Sequence, residues 1–177
     1  MKKTKWVVDP AHSEIGFKVK HMMFTNVSGK IQNFTALMET NVDLFENARV
    51  VFDGDINSLT TNNAERDAHL LSQDFFDAER FPKVTFLATQ FERLDEVNYK
   101  ITGDLTIKGQ TKTITLDTEF SGLLKDPYGN IKAAFMMNAK INRKDWGLNW
   151  NTPLETGGVL VSDEVRLGID IQFIKQN

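Results

Sequence analysis

Apolar side chains recur at every second position over long stretches of this chain. Between Val97 and Ile107 they fall at Val97, Tyr99, Ile101, Leu105 and Ile107, with Gly103 holding the phase and polar residues between. Val165, Leu167, Ile169, Ile171 and Phe173 alternate in the same way with Arg166, Gly168, Asp170 and Gln172. The phasing returns at Ala36, Met38 and Val42, at Ala48, Val50, Phe52 and Ile56, and at Ile114, Leu116 and Phe120. Successive strand side chains point to opposite faces, so this pattern predicts strands with one wet face and one buried face. Such sheets are antiparallel as a rule, because parallel sheets bury both faces and lose the alternation.

Turn residues sit where these strands must reverse. Lys108-Gly109-Gln110 separates two alternating runs and predicts a tight hairpin. Asp126-Pro127-Tyr128-Gly129-Asn130 predicts a loop. Strands of about ten residues at this spacing number roughly eight, enough to close into a barrel and remove the exposed edges. One segment breaks the period. Over residues 62–72 the spacing is helical, with Ala64, Ala68, Leu71 and Phe75 on one stripe. Asn62 is the expected N-cap and Glu65 the expected partner in a capping box. The class is therefore all-β with one short helix, an antiparallel barrel of about eight strands. No linker, repeat or low-complexity stretch divides residues 1–177, which are expected to form a single domain.

A barrel of this size is filled by its own side chains or holds one small ligand. Pattern alone leaves both open. Composition shifts the picture: 13 Phe stand against 2 Tyr and 3 Trp, so most aromatic surface has no polar handle to satisfy. Six Met add pliable apolar contacts.

Charge removes some partners. The 177 residues include 21 basic and 24 acidic side chains, a net charge of -3, mixed along the sequence without a visible basic patch. Neither a nucleic-acid partner nor a peripheral membrane attachment is favoured, since phosphates need such a patch and membrane-bound faces are often basic. No apolar run approaches the roughly 20 residues of a membrane helix, so an integral membrane protein is not expected. With no cysteine, thiolate metal sites and thiol nucleophiles are excluded. Only Trp6-Val7-Val8 separates the basic start from Asp9-Pro10, too short for a secretory signal, and a cytoplasmic location is expected.

Candidate chemistry is sparse. His12, His21 and His69 lack zinc-ligand spacing, and a structural or solvent-exposed role is expected for each; no metal, cofactor or catalytic residue is assigned. Arg66-Asp67-Ala68-His69-Leu70 is the densest polar cluster. It either forms a cationic lip for a phosphate or quinone head group or ties the helix to a strand. Trp146 and Trp150 flank Gly147-Leu148-Asn149 and could guard a cavity mouth, touch a membrane or pack beneath a loop.

These residues carry a resemblance. Trp6-Val7-Val8-Asp9-Pro10-Ala11-His12-Ser13 with Phe17 and His21 looks like the opening of the YceI-like family. Ser58-Leu59-Thr60, Arg66-Asp67-Ala68-His69-Leu70, Asp74-Phe75-Phe76-Asp77 and Phe81-Pro82 form the most diagnostic stretch. Gly103 to Gly109, Asn142-Arg143, Trp146-Gly147 and Leu154-Glu155-Thr156-Gly157-Gly158 complete it. The resemblance implies a bacterial, lipocalin-like barrel that holds a long isoprenoid, such as a polyprenyl phosphate or a quinone tail, as carrier or reservoir. On strand phase, the expected lining is Phe17, Val19, Phe52, Phe86, Ile101, Leu105, Leu116, Phe120, Met136, Leu167 and Ile169. Arg66, His69 and Trp146 are the head-group candidates. Two other functions stay open. One is an enzyme acting on a hydrophobic substrate, with Arg66, Asp67 or His69 as acid, base or charge stabiliser. The other is a packed barrel serving as a stress or interaction protein. A homodimer is compatible with all three.

Overall fold

The computed structural model describes residues 2–41, 44–155 and 157–177. Val42, expected as an inward position, and Thr156 of the family resemblance lie outside the described residues. The strands are β1 (Lys3–Val8), β2 (Glu14–His21), β3 (Thr25–Ile31), β4 (Phe34–Asn41), β5 (Leu44–Asp55) and β6 (Leu59–Thr60). After the helix α1 (Ala64–Leu71) come β7 (Lys83–Arg93), β8 (Asn98–Ile107), β9 (Gln110–Lys125), β10 (Ile131–Asn142) and β11 (Val161–Lys175).

These strands make eight staves, because three staves are each built from two. β1 and β2 lie end to end along β11, with Val8 opposite Phe173 and Ile15 opposite Ile169. β3 pairs with β2 and β4 with β1, and in turn β5 pairs with β4 and β6 with β3. Each stave is antiparallel to its predecessor in the chain, and β11 closes on β1. The result is a closed, up-and-down antiparallel barrel of eight staves with one short helix, as the alternation predicted. Local chemistry makes the breaks. Pro10 has no N–H for a ladder and a fixed φ, and the Asp9 carboxylate accepts from Ala11 N at 3.2 Å to shape a short helical turn at Pro10–His12. Asp55 does the same at Ile56–Ser58, accepting from Asn57 N at 3.0 Å.

Both expected turns are present. Lys108 and Gly109 join β8 to β9 as a two-residue loop, with φ of +52° and +73° as a primed hairpin turn requires. In the β9–β10 loop the Asp126 carboxylate accepts from Tyr128 N and Asn130 N, each at 2.9 Å.

The helix differs in detail. Asn63, not Asn62, caps it, its side chain accepting from Arg66 N at 3.0 Å. That shift puts Arg66 rather than Glu65 at the third helical position, so the capping box does not form. Ala64 and Ala68 are exposed, and the inward face is Arg66, Asp67, Leu70 and Leu71. Thr61 causes this rotation: its backbone N–H donates to Asp67 Oδ1 at 2.8 Å, while Arg66 Nε donates to its hydroxyl at 2.8 Å. Polar anchors outweigh the small apolar benefit of burying two alanines.

The interior divides along its axis. One end is closed by aromatic rings: Phe45 stands 5.6 Å from Trp6, 5.0 Å from Phe120 and 5.3 Å from Phe135, centroid to centroid. Phe91, Tyr99 and Phe173 complete this plug. Tilted and edge-on pairs of this kind contribute about 0.5–1.5 kcal/mol each beyond burial. The Trp6 indole N–H is satisfied by Thr40 Oγ1 at 3.0 Å. Towards the other end the barrel is hollow.

Candidate functional site

The hollow part is a cavity of about 200 Å³. Its wall comes from inward strand positions: Ile15, Phe17 and Val19 of β2, Val50 and Phe52 of β5, Val84 and Phe86 of β7. Ile101, Leu105 and Ile107 of β8, Ile114 and Leu116 of β9, and alternate residues from Val165 to Phe173 of β11 continue it. The period-two pattern is what delivers apolar side chains here from every stave. Leu70, Phe75 and Phe76 cover it from the α1 side, and Trp146 and Leu148 from the segment after β10.

The wall offers almost nothing polar. The Trp146 indole N–H points to Leu105 O at 2.9 Å and is spent there. Arg143 alone among the described lining residues carries a charge, and it is 4% exposed. Its guanidinium donates to Ser162 O at 2.9 Å, Trp150 O at 3.0 Å, Val161 O at 3.3 Å and Leu148 O. Burial lowers its pKa and Asp163, 3.8 Å away, partly restores it. Arg143 thus stitches residues 148–162 to the end of β10 rather than presenting a free cation. An ordered water needs two to four polar partners, so a cavity this apolar stays dry and suits hydrocarbon.

Nine of the expected lining residues face this cavity: Phe17, Val19, Phe52, Phe86, Ile101, Leu105, Leu116, Leu167 and Ile169. Two do not. Phe120 has the inward phase but sits beyond the cavity in the plug, 5.2 Å from Phe135. Met136 points outward and is 52% exposed, and Met137 lines the cavity instead. The run Ala133-Ala134-Phe135-Met136-Met137 is apolar throughout, so its parity carries no signal.

The head-group candidates are not brought together. Trp146 lines the cavity, whereas Arg66 is tied to Thr61 through Nε and through Nη2 to Thr61 O at 2.7 Å. His69 Nε2 lies 2.8 Å from Asp74 Oδ2, and its ring packs edge-on to Trp150 at 4.6 Å and Phe75 at 5.1 Å. The geometry is that of a tie, though not to a strand itself: Arg66 and Asp67 hold Thr61, the residue after β6, and His69 holds Asp74. Sequence reasoning missed Arg143 as a site residue. It stood within the resemblance, yet a charged residue at an inward position is invisible to a hydrophobic period. Among the described residues no group of three or more His, Asp or Glu could hold a metal, and no helix is long and apolar enough to cross a membrane.

An eight-stave antiparallel barrel, plugged at one end and hollow and apolar at the other, defines a lipocalin-like cavity barrel. The chain belongs to the YceI-like family, whose YceI-like domain matches residues 6–173. A UPF0312 protein of Staphylococcus aureus (strain N315) is 36% identical over 171 residues, covering 96% of this chain and 97% of the relative. The crystal structure of the Campylobacter jejuni YCEI protein matches with a TM-score of 0.78 and 34% identity, covering 96% of each chain. A polyisoprenoid binding domain from Saccharophagus degradans, implicated in plant cell wall breakdown, shares the fold at a TM-score of 0.69 and 12% identity. That alignment spans 97% of this chain and 98% of the other.

Proposed function

We propose that this protein binds a long isoprenoid-type lipid in the barrel, as a carrier or reservoir, with the whole chain acting as one lipid-binding unit. The observation that carries the reading is the cavity wall, in which the indole N–H of Trp146 and the hydrogen bonds of Arg143 are already directed at backbone carbonyls. Burying one CH₂ contributes about 0.8 kcal/mol, so a five-carbon unit contributes roughly 3 kcal/mol before ordering costs. A branched hydrocarbon tail gains that without any specific polar contact. The polyisoprenoid named for the Saccharophagus degradans domain supports the choice of tail. The reading assigns no bond-making step to the protein. Arg66, Asp67 and His69, which a catalytic reading would need, are absent from the cavity wall.

Organic extraction of natively purified protein followed by mass spectrometry tests this. An isoprenoid in near-stoichiometric amount is the expected result. Leu105→Glu with Leu116→Glu should empty a barrel that still folds, and a folded double variant that keeps its lipid would remove the cavity from the proposal.

A further inference from the structure

The connections at the open end of the barrel do not behave alike. Leu70 of α1, Phe75, Phe76, Arg143 and Trp146 close over the cavity, whereas the β2–β3 tip contributes no lining residue. Val19 is the last residue of β2 that lines the cavity; the strand continues to His21 and reverses through Met22, Met23 and Phe24 to Thr25. These three tip side chains are 51%, 49% and 92% exposed. The tip is fixed at the mouth. His21 pairs with Val161, itself a lining residue, and Met22 N donates to Leu160 O at 2.8 Å.

Two independent features mark this tip. Met22 and Met23 have φ of +54° and +68°, the left-handed region that hairpins normally fill with Asn and Gly. Phe24 stands almost wholly in water, and Met22 and Met23 are half exposed, Met23 lying over Gly158, at backbone angles that a simple reversal would give to Asn or Gly. The second feature is charge. Between Ile15 and Gln32 the chain carries Lys18, Lys20, His21 and Lys30 and no Asp or Glu. Lys18 stands opposite Arg166, and Arg166 opposite Lys140, so three exposed cations form a row across β2, β11 and β10. Only Glu164, 3.6 Å from Arg166, is paired with this row among the described residues.

We propose that the β2–β3 tip docks the barrel mouth onto an anionic lipid surface. Met22, Met23 and Phe24 enter the interface, and the Lys18–Arg166–Lys140 row meets the head groups. Apolar burial and attraction to anionic lipid add in such interfacial anchors, while either alone binds weakly. The proposal rests on the carrier reading and extends it: a mouth held against the bilayer lets a tail enter the cavity without crossing water.

Flotation of the purified full chain with vesicles tests it, comparing phosphatidylcholine containing phosphatidylglycerol with phosphatidylcholine alone. The protein should float with the anionic vesicles, less so at high salt, and poorly with the neutral ones. Met22→Ser/Met23→Ser/Phe24→Ser should weaken binding by about tenfold or more, and Lys18→Glu/Lys140→Glu should do likewise. Lipid extracted from the serine variant should match that of the unmodified protein, because no tip residue lines the cavity. Loss of flotation with retained lipid supports docking. Flotation of a protein that yields no lipid removes the carrier reading and leaves the docking in place. Equal flotation of the serine variant, or no flotation of the unmodified protein, overturns the proposal. A dimer that the serine substitutions dissociate, without any vesicle binding, assigns the tip to a second copy of the chain and overturns it too.

Discussion

Phe17 lies across Gly29, its partner in the β2–β3 ladder, so closely that a Cβ on Gly29 would stand 2.3 Å from Phe17 Cζ. The absent side chain lets the ring flatten onto the wall and leave the cavity clear. Gly29→Ala should drive Phe17 into the cavity. Overpacking of this kind costs about 1–3 kcal/mol, readable as a lower midpoint of denaturant unfolding, and the extracted lipid should fall with it. An alanine variant with unchanged midpoint and lipid content would mean that the ring has another rotamer available at no loss.

On the carrier reading, the plug limits how deep a tail can reach. Phe45 contacts Trp6, Phe120 and Phe135, so Phe45→Ala removes the ring on which the others lean. Truncating a buried Phe costs about 3–5 kcal/mol through lost burial and residual void. The new space lies behind Phe135, whose ring stands 6.3 Å from Phe173 of the cavity wall, and if Phe135 relaxes into it mass spectrometry of extracted lipid should show a shift to longer tails. An unchanged length distribution would place the length limit at the mouth.

Arg143 holds the mouth loop through backbone carbonyls of Leu148, Trp150, Val161 and Ser162. Arg143→Met keeps most of the apolar stem but withdraws the guanidinium from all four carbonyls, of which Val161 O still accepts from Asn151 Nδ2 at 2.7 Å. A loss of about 3 kcal/mol is expected, since bonds to a charged donor are among the stronger ones and carbonyls left without a donor are stranded. Hydrogen exchange should quicken over residues 148–162 and remain slow in β8 and β9. Uniform quickening across the barrel would instead mark a global role.

Acid should weaken the fold through a polar cluster on the outer wall. Lys132 Nζ donates to Asp9 Oδ2 at 2.7 Å, and His12 Nδ1 lies 2.8 Å from the same oxygen. Burial, the largest single influence, pushes the Asp9 carboxyl up, but the bonds and charges of Lys132 and His12 together hold it below its ordinary 3.8. Asp126 is lowered too: burial raises it, and Asn130, Tyr128 and the Lys132 charge outweigh that. A carboxyl with a lowered folded pKa stabilises the fold above its unfolded pKa and loses that contribution as pH falls through the folded one. Stability from this cluster is therefore complete above about pH 5 and declines below about pH 4. Lys132→Met should lower the unfolding midpoint near neutrality and converge with the unmodified protein in acid. A constant difference across that range would show that packing, not charge, is what Lys132 supplies.

Much of the fold was legible because one physical signal repeats. The alternation at Val97 to Ile107 and at Val165 to Phe173 turned out to face inward, except at Val97, which precedes β8 and is 42% exposed. The signal failed where its contrast failed: at Met136, in an all-apolar run, and at Ala64 and Ala68, where polar ties to Thr61 set the helix rotation. Phase also says nothing of depth. Phe120 and Leu116 share one face of β9, yet one plugs the barrel and the other lines its cavity.

Strand period, turn residues and the lack of a basic run are local properties, and they determined by themselves an antiparallel barrel with an apolar inside. Which end is filled, which charged side chain reaches the wall and which cations align on the outer face were decided only by tertiary structure. Lys18, Arg166 and Lys140 are far apart in the chain and meet through the register of three staves. Whether the interior is solid or hollow depends on where the large rings stack along the axis, and that position is a sum over eight staves that no single segment encodes.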